Sequence, residues 1–260
     1  MFSLPNEPKV IKKEGNQATF EIDALYPGYG VTVGNSLRRV LFSSLEGAAI
    51  THARIKGAPH EFSTIPGILE DVITIGLNLK QLRFKVFSDE PQRATLRVKG
   101  EKEVKGSDFD LPSQVELVNK NAHIATLTKK NSELELEITI EKGVGYYARD
   151  FRGKEKLEVG AISLDAVFTP VKRVSYTIEN MRVGERTDYD RLFLEIKTDG
   201  TISPEQAFCR AAEILVNHFS LMVETFKSKA EATPIKKEKE TKKKKIKKEK
   251  HEKKKKGKKI

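Results

Sequence analysis

Residues 203–226, SPEQAFCRAAEILVNHFSLMVETF, constrain the fold more than any other stretch. Ser203 stands where an N-cap belongs, Pro204 at the first helical position, Glu205 where negative charge suits the helix start, and Gln206 where it completes a capping box. At 100° per residue, Arg210, Glu213, Asn217, Ser220 and Glu224 crowd into a narrow polar strip. Ala207, Phe208, Ala211, Ala212, Ile214, Leu215, Val216, Phe219, Leu221, Met222 and Val223 cover well over half the circumference. One core uses a narrower stripe than that. Such a helix either runs through the centre of its own domain or buries a second face against another chain, and its pattern alone leaves both open.

A second helix is expected over residues 34–45, GNSLRRVLFSSL. Leu37, Val40, Leu41, Ser44 and Leu45 share a face, Arg38 lies at its edge with Phe42, and Arg39 points nearly the opposite way. Asn35 or Ser36 is available as its cap and Gly47 as its stop. By itself the stretch fits an amphipathic core helix with solvated arginines.

The segments between are short and mostly alternating. Ala18, Phe20 and Ile22 define a strand that breaks at Pro27-Gly28-Tyr29-Gly30, and residues 48–57 read as an imperfectly alternating strand ended by Gly57. Leu69, Val72, Ile73 and Gly76 have helical spacing, with Pro66 near the start. From about Phe84 to Ile140 the period becomes 2, most clearly in ELELEITIE, where Leu134, Leu136, Ile138 and Ile140 oppose Glu135, Glu137 and Thr139. This is an antiparallel section with one wet face. EKGVGYYARD reads as a loop carrying two tyrosines; further strands are expected at AVFTPV, VSYTIE and RLFLEIKTDGTI, the last ending in an Asp199-Gly200 turn.

The chain is 260 residues long with a formal charge of +11, but the charge is localised. Residues 236–260 hold 16 Lys and 4 Glu, a net +12 that leaves the preceding 235 residues near −1. A segment of that composition buries too little apolar surface to offset its ordering entropy and is expected to be disordered. It serves either as a solubilising tail or as a weak, salt-sensitive contact to nucleic-acid phosphates. Cys209 is the sole cysteine, which excludes an internal disulfide and suits a reducing compartment. With no signal-peptide pattern and no apolar run approaching the ~18 to 20 residues of a membrane span, a soluble cytoplasmic protein is expected and no membrane partner.

Catalytic chemistry is not evident. His52, His60, His123, His218 and His251 are scattered, with no pair at metal-ligand spacing, and no phosphate-binding loop, dinucleotide fingerprint or nucleophile elbow occurs. Neither a metal, a cofactor nor a catalytic residue is expected. In ENMRVGERTDYDRL the acidic Glu185, Asp188 and Asp190 alternate with Arg182, Arg186 and Arg191, a mixture better suited to protein docking than to a cation.

Three blocks are more specific. GYGVTVGNSLRRVLFSSLEGAAI, HEFSTIPGILEDVITIGLNLK and AVFTPVKRVSYTIENMRVGERTDYDRLFLEIKTDGTISPEQAF resemble signature blocks of the N-terminal domain of bacterial-type RNA polymerase α subunits, and the resemblance runs from about residue 10 to 226. It implies an α+β fold: a dimerisation domain made from both chain ends, residues 1–48 and 166–230, an inserted mostly-β domain over 49–165, and a disordered lysine-rich tail over 231–260.

The resemblance further implies a homodimer that scaffolds the β and β′ subunits. Leu37, Val40, Leu41, Leu45, Phe208, Ala211, Leu215, Phe219 and Met222 would form the dimer interface, Arg38 and Arg39 would meet β, and Arg182, Glu185, Arg186, Asp188 and Asp190 would meet β′. Family members ordinarily continue into a DNA-binding C-terminal domain; with a lysine tail in that place, no such domain is expected here, and weak DNA attraction through the tail is the expected remainder. A basic ribosome- or nucleic-acid-associated protein is the alternative, supported by the tail alone.

Overall fold

The computed structural model describes residues 4–148 and 160–227, so the tail expectation lies outside the described residues. In chain order it forms β1 (Lys9–Glu14), β2 (Gln17–Leu25), α1 (Tyr29–Ser43), β3 (Glu46–Ile55), α2 (Val72–Leu79), β4 (Phe84–Val86), β5 (Gln92–Lys99) and β6 (Lys102–Lys105). There follow β7 (Phe109–Asp110), β8 (Val115–Leu117), β9 (His123–Leu127), β10 (Glu133–Val144), β11 (Tyr146–Tyr147), β12 (Ala161–Ser163) and β13 (Ala166–Val167). The series closes with β14 (Val171–Val183), β15 (Arg186–Thr198) and a helix, α3, over residues 204–227. This is the α+β class, with antiparallel strand pairing throughout the described residues.

The chain divides into a large unit, Met1–Ala212, and a second one, Glu213–Ile260. Within the first, two sheets carry the architecture. One has the order β1-β2-β15-β14 and so joins the two ends of the unit; the other has the order β12-β3-β10-β5-β7. The alternation in β10 is realised in full: Leu134, Leu136, Ile138 and Ile140 are at most 1% exposed, each contributing on the order of 2 kcal/mol of apolar burial. They enter one continuous core with Ile75, Leu79, Phe84, Leu96, Ile124 and Leu127. On the opposite face, Arg97 and Lys56 reach Glu133 and Glu135 at 3.0 and 2.7 Å, a ladder of exposed cross-strand pairs.

Several local expectations change. The imperfect alternation of β3 has a physical cause: Thr139 pairs with His52 but Ile140 with Ile50, so Thr51 is an extra residue whose bulge shifts the side-chain phase. Ile50 and Ile55, five apart, therefore both face inward at 3% exposure. α2 begins at Val72, with Asp71 accepting the Thr74 N–H at 2.8 Å, and buries Val72, Ile75, Gly76 and Leu79. Leu69, expected on that face, is 72% exposed and outside the helix, because its own N–H is committed to the Thr126 carbonyl. The two tyrosines expected in a loop form β11, paired with β13.

α1 also starts earlier than expected. Gly28 occupies the N-cap position with φ +85°, a conformation glycine adopts without Cβ strain, so the break at Pro27-Gly28 is the helix start rather than a separate turn. Asn35 and Ser36 fall inside the helix, where Ser36 Oγ donates to the Thr32 carbonyl at 2.7 Å. Gly47 does not stop the helix, which ends at Ser43; it lies in β3, where a Cβ would collide with the Phe168 carbonyl oxygen.

Candidate functional site

α1 is pressed onto β14 and β15. A Cβ on Gly34 would sit 2.9 Å from both Leu192 Cδ1 and Tyr176 Cδ2, and one on Gly30 2.9 Å from Asp190 Oδ2, so this glycine pair lets the helix backbone lie against the sheet. Leu37 and Leu41 are buried at 4% and 0%, Leu45 just beyond the helix at 2%, and Val40 is half-buried. These residues of the expected interface are thus wholly or partly covered by their own chain. Arg38 is half-buried and donates to Asn35 Oδ1 at 3.1 Å. Arg39 is exposed on the other side, and its guanidinium meets no carboxylate among the described residues.

The stretch around residues 182–190 is the β14–β15 hairpin. Arg182 Nε donates to the Gly184 carbonyl at 2.8 Å, closing the tip, and Glu185 is exposed. Arg186 holds Asp188 through two bonds of 3.0 and 2.7 Å and lies 5.4 Å from the ring centroids of both Tyr26 and Tyr189. The bond to Asp188, then that to Tyr26, raises the Arg186 pKa; in return the Arg186 bond holds the Asp188 carboxyl below its ordinary value. Tyr26 also meets Tyr29 and Tyr189 edge-on at 6.0 Å. This arginine–tyrosine surface was not legible in the sequence, since its rings come from positions 163 apart. Asp190 differs from its neighbours: it is 7% exposed, and its Oδ2 accepts the N–H groups of Gly28 and Gly30, both at 2.9 Å.

The start of α3 matches its sequence signature. Gln206 N–H donates to Ser203 Oγ and Ser203 N–H to Gln206 Oε1, both at 3.2 Å, while the bond from Lys13 to Glu205 lowers that carboxyl's pKa. Ala207 and Ala211 are fully buried, and Phe208 stacks on Phe20 with ring centroids 4.8 Å apart. In the second unit Leu215 is half-buried, while Val216, Phe219, Leu221, Met222, Val223 and Phe226 are each more than half exposed. His218 Nδ1 lies 2.7 Å from the Ile214 carbonyl oxygen and donates to it.

Away from these elements, a groove of about 850 Å³ crosses the polar face of the five-stranded sheet, lined by Arg54, Lys56, Arg97, Glu135 and Glu137. Its carboxylates are engaged by neighbouring cations, which leaves a solvated ladder rather than a reactive centre. No group of three or more metal-ligating side chains occurs among the described residues, and no helix there is long and apolar enough to cross a membrane. One cluster escaped sequence reasoning: Glu70 accepts from Thr126 N at 2.6 Å, from Thr126 Oγ1 at 3.0 Å and from His123 Nε2 at 2.9 Å.

Residues 53–169 match the RNA polymerase Rpb3/RpoA insert domain. Among curated proteins, the DNA-directed RNA polymerase subunit alpha of Roseiflexus sp. (strain RS-1) is 44% identical over 226 residues, covering 87% of this chain and 69% of that protein. The protein of the same name from Symbiobacterium thermophilum is 46% identical over 84% of this chain and 69% of its own length. That of Syntrophomonas wolfei is 47% identical over 88% and 72% respectively.

Proposed function

Because the chain belongs to the family of DNA-directed RNA polymerase α subunits, we propose that it acts as a non-catalytic scaffold within that nucleotidyltransferase: two copies dimerise and seat the β and β′ subunits. The single observation that carries this reading is the exposed apolar ridge of α3, where Phe219, Met222 and Phe226 lie 57–69% open to solvent. Single scattered exposed apolar residues are normal, but several large ones along one helix mark an interaction surface. The dimer contact is assigned to Leu215, Phe219 and Met222 on α3 together with Phe208, Ala211, Leu37, Val40, Leu41 and Leu45; of these, Leu37, Leu41, Leu45 and Ala211 are buried and Val40 is half-buried.

Arg39, exposed and unmatched by a carboxylate, is assigned to β, with Arg38 beside it. The hairpin residues Arg182, Glu185, Arg186 and Asp188 are assigned to β′, the arginine–tyrosine surface being of the composition that dominates protein interfaces. The domain reading follows the same division: residues 1–48 and 166–230 for dimerisation, 49–165 inserted. The lysine-rich tail adds weak, sequence-independent attraction to DNA. The protein is assigned to the cytoplasm.

Sedimentation tests the dimer. Phe219→Asp places an unpaired charge in the apolar interface, at a cost on the order of 2 to 5 kcal/mol, and should yield monomer where the parent is dimeric. A Phe219→Asp protein that remains dimeric at nanomolar concentration overturns the assignment.

A further inference from the structure

We propose that Asp190 is a positioning residue for β-subunit capture, acting through the Arg38–Arg39 helix rather than by touching a partner. The inference rests on the reading of Arg39 as the β contact. It deepens that reading by naming what aims the helix.

α1 lacks the local means to finish its own start. Its N-cap is a glycine in the left-handed region, no side chain of the capping residue closes the first turn, and that turn contains no acidic residue. The free N–H groups and the positive end of the helix dipole therefore need an acceptor from elsewhere. Asp190 supplies it from β15, 160 residues further along the chain, with one carboxylate oxygen 2.9 Å from both Gly28 N and Gly30 N. Oδ2 is doubly occupied and the residue 7% exposed, so little of the side chain is open to a partner subunit.

The strand that carries Asp190 is held on its other side as well. Adjacent Arg191 reaches Asp23 at 2.6 Å and Glu21 at 3.2 Å on β2, so the carboxylate is presented to α1 from a strand fixed to its neighbour. Gly34, Leu37 and Leu41 keep the helix down on the sheet, while Asp190 fixes where its first turn begins. Arg39 lies nine residues beyond Gly30, about 14 Å along the axis of the same helix, so the anchor reaches it through the helix itself and not by contact.

The test is a double-mutant cycle on the full chain, reading capture of the β subunit of the same polymerase by co-purification titration, together with hydrogen exchange of the Gly28–Val31 amides without β. Asp190→Ala should speed exchange of those amides by about tenfold or more and weaken β capture by about tenfold, while sedimentation still gives a dimer. Asp190→Asn keeps an oxygen that accepts both N–H groups, so it should stay within a few-fold of the parent in both readouts. In an Arg38→Ala/Arg39→Ala background, Asp190→Ala should add no further loss of capture, because a residue acting only through these arginines has nothing left to act on. Additive losses, or parental capture by Asp190→Ala despite fast exchange, overturn the positioning role. Parental capture by Arg39→Ala alone refutes the underlying contact reading instead and removes this proposal with it.

Discussion

Arg83 and Asp199 meet where the segment just before β4 abuts the turn that leads into α3: Arg83 Nε lies 3.6 Å from Asp199 Oδ2, and the Asp199 side chain is only 5% exposed. Arg83 also donates to the Lys80 carbonyl at 3.0 Å, and Asp199 accepts the N–H and hydroxyl of Thr201 at 2.9 and 2.5 Å. The pair thereby fastens the end of α2 to the segment that ends at the Ser203 cap.

Arg83→Ala should accordingly destabilise the fold by about 2 to 3 kcal/mol, less than the loss expected for a wholly unpaired buried charge, because Thr201 still solvates the carboxylate. Asp199→Asn, which keeps an acceptor for Thr201 and needs no counter-charge, should cost less. Urea unfolding of both variants provides the check: a midpoint for Arg83→Ala equal to that of the parent, at unchanged slope, would remove the fastening role.

Glu70 gives the fold an acid-sensitive contact. Burial works against its charge, but the Thr126 N–H, His123 and the Thr126 hydroxyl outweigh it, and the carboxyl lies below its ordinary value of 4.5. A group depressed on folding contributes stability that is fully present above its unfolded pKa and lost as pH falls through the lower, folded one. The contribution from Glu70 should therefore be intact at neutral pH and disappear below about pH 4.5. Glu70→Gln should be less stable than the parent at pH 7, with the gap closing as the pH is lowered below that value. A gap that stays constant from pH 7 to pH 3 would show that the carboxylate charge is not what Thr126 and His123 hold.

What could be read in advance divides along a physical line. The capping box at Ser203–Gln206 and the inward alternation of β10 are set by residues adjacent in sequence, and both are found as expected. The start of α1 combines the local Gly28 with the distant Asp190, the start of α2 combines the local Asp71 cap with the hold of β9 on Leu69 and Glu70, and the phase of β3 is shifted by a bulge at Thr51. Each of these depends on a partner distant in sequence, which no local pattern encodes. The same division holds among the candidate residues: the outward direction of Arg39 is legible from helical phase alone, whereas the inward turn of Asp190 and the stacking around Arg186 require strands that meet only in the fold.

The lysine-rich end of the chain offers a test of the DNA reading that is separate from subunit assembly. Cutting after Thr233 removes the segment with net charge +12 and leaves a body near neutrality, so β and β′ capture should survive while non-specific duplex affinity falls. Each phosphate neutralised by a lysine releases counterions, giving log affinity a slope of about −0.9 per phosphate against log salt. The difference between full-length and cut protein should thus be largest at low salt and shrink steeply as salt rises. It should also be the same for two duplexes of unrelated sequence, because lysine charge is drawn to phosphates, which carry no sequence information. Equal low-salt affinity of the two proteins would assign the segment to solubility alone, and a preference for one duplex would require a reader of bases that lysine charge does not supply.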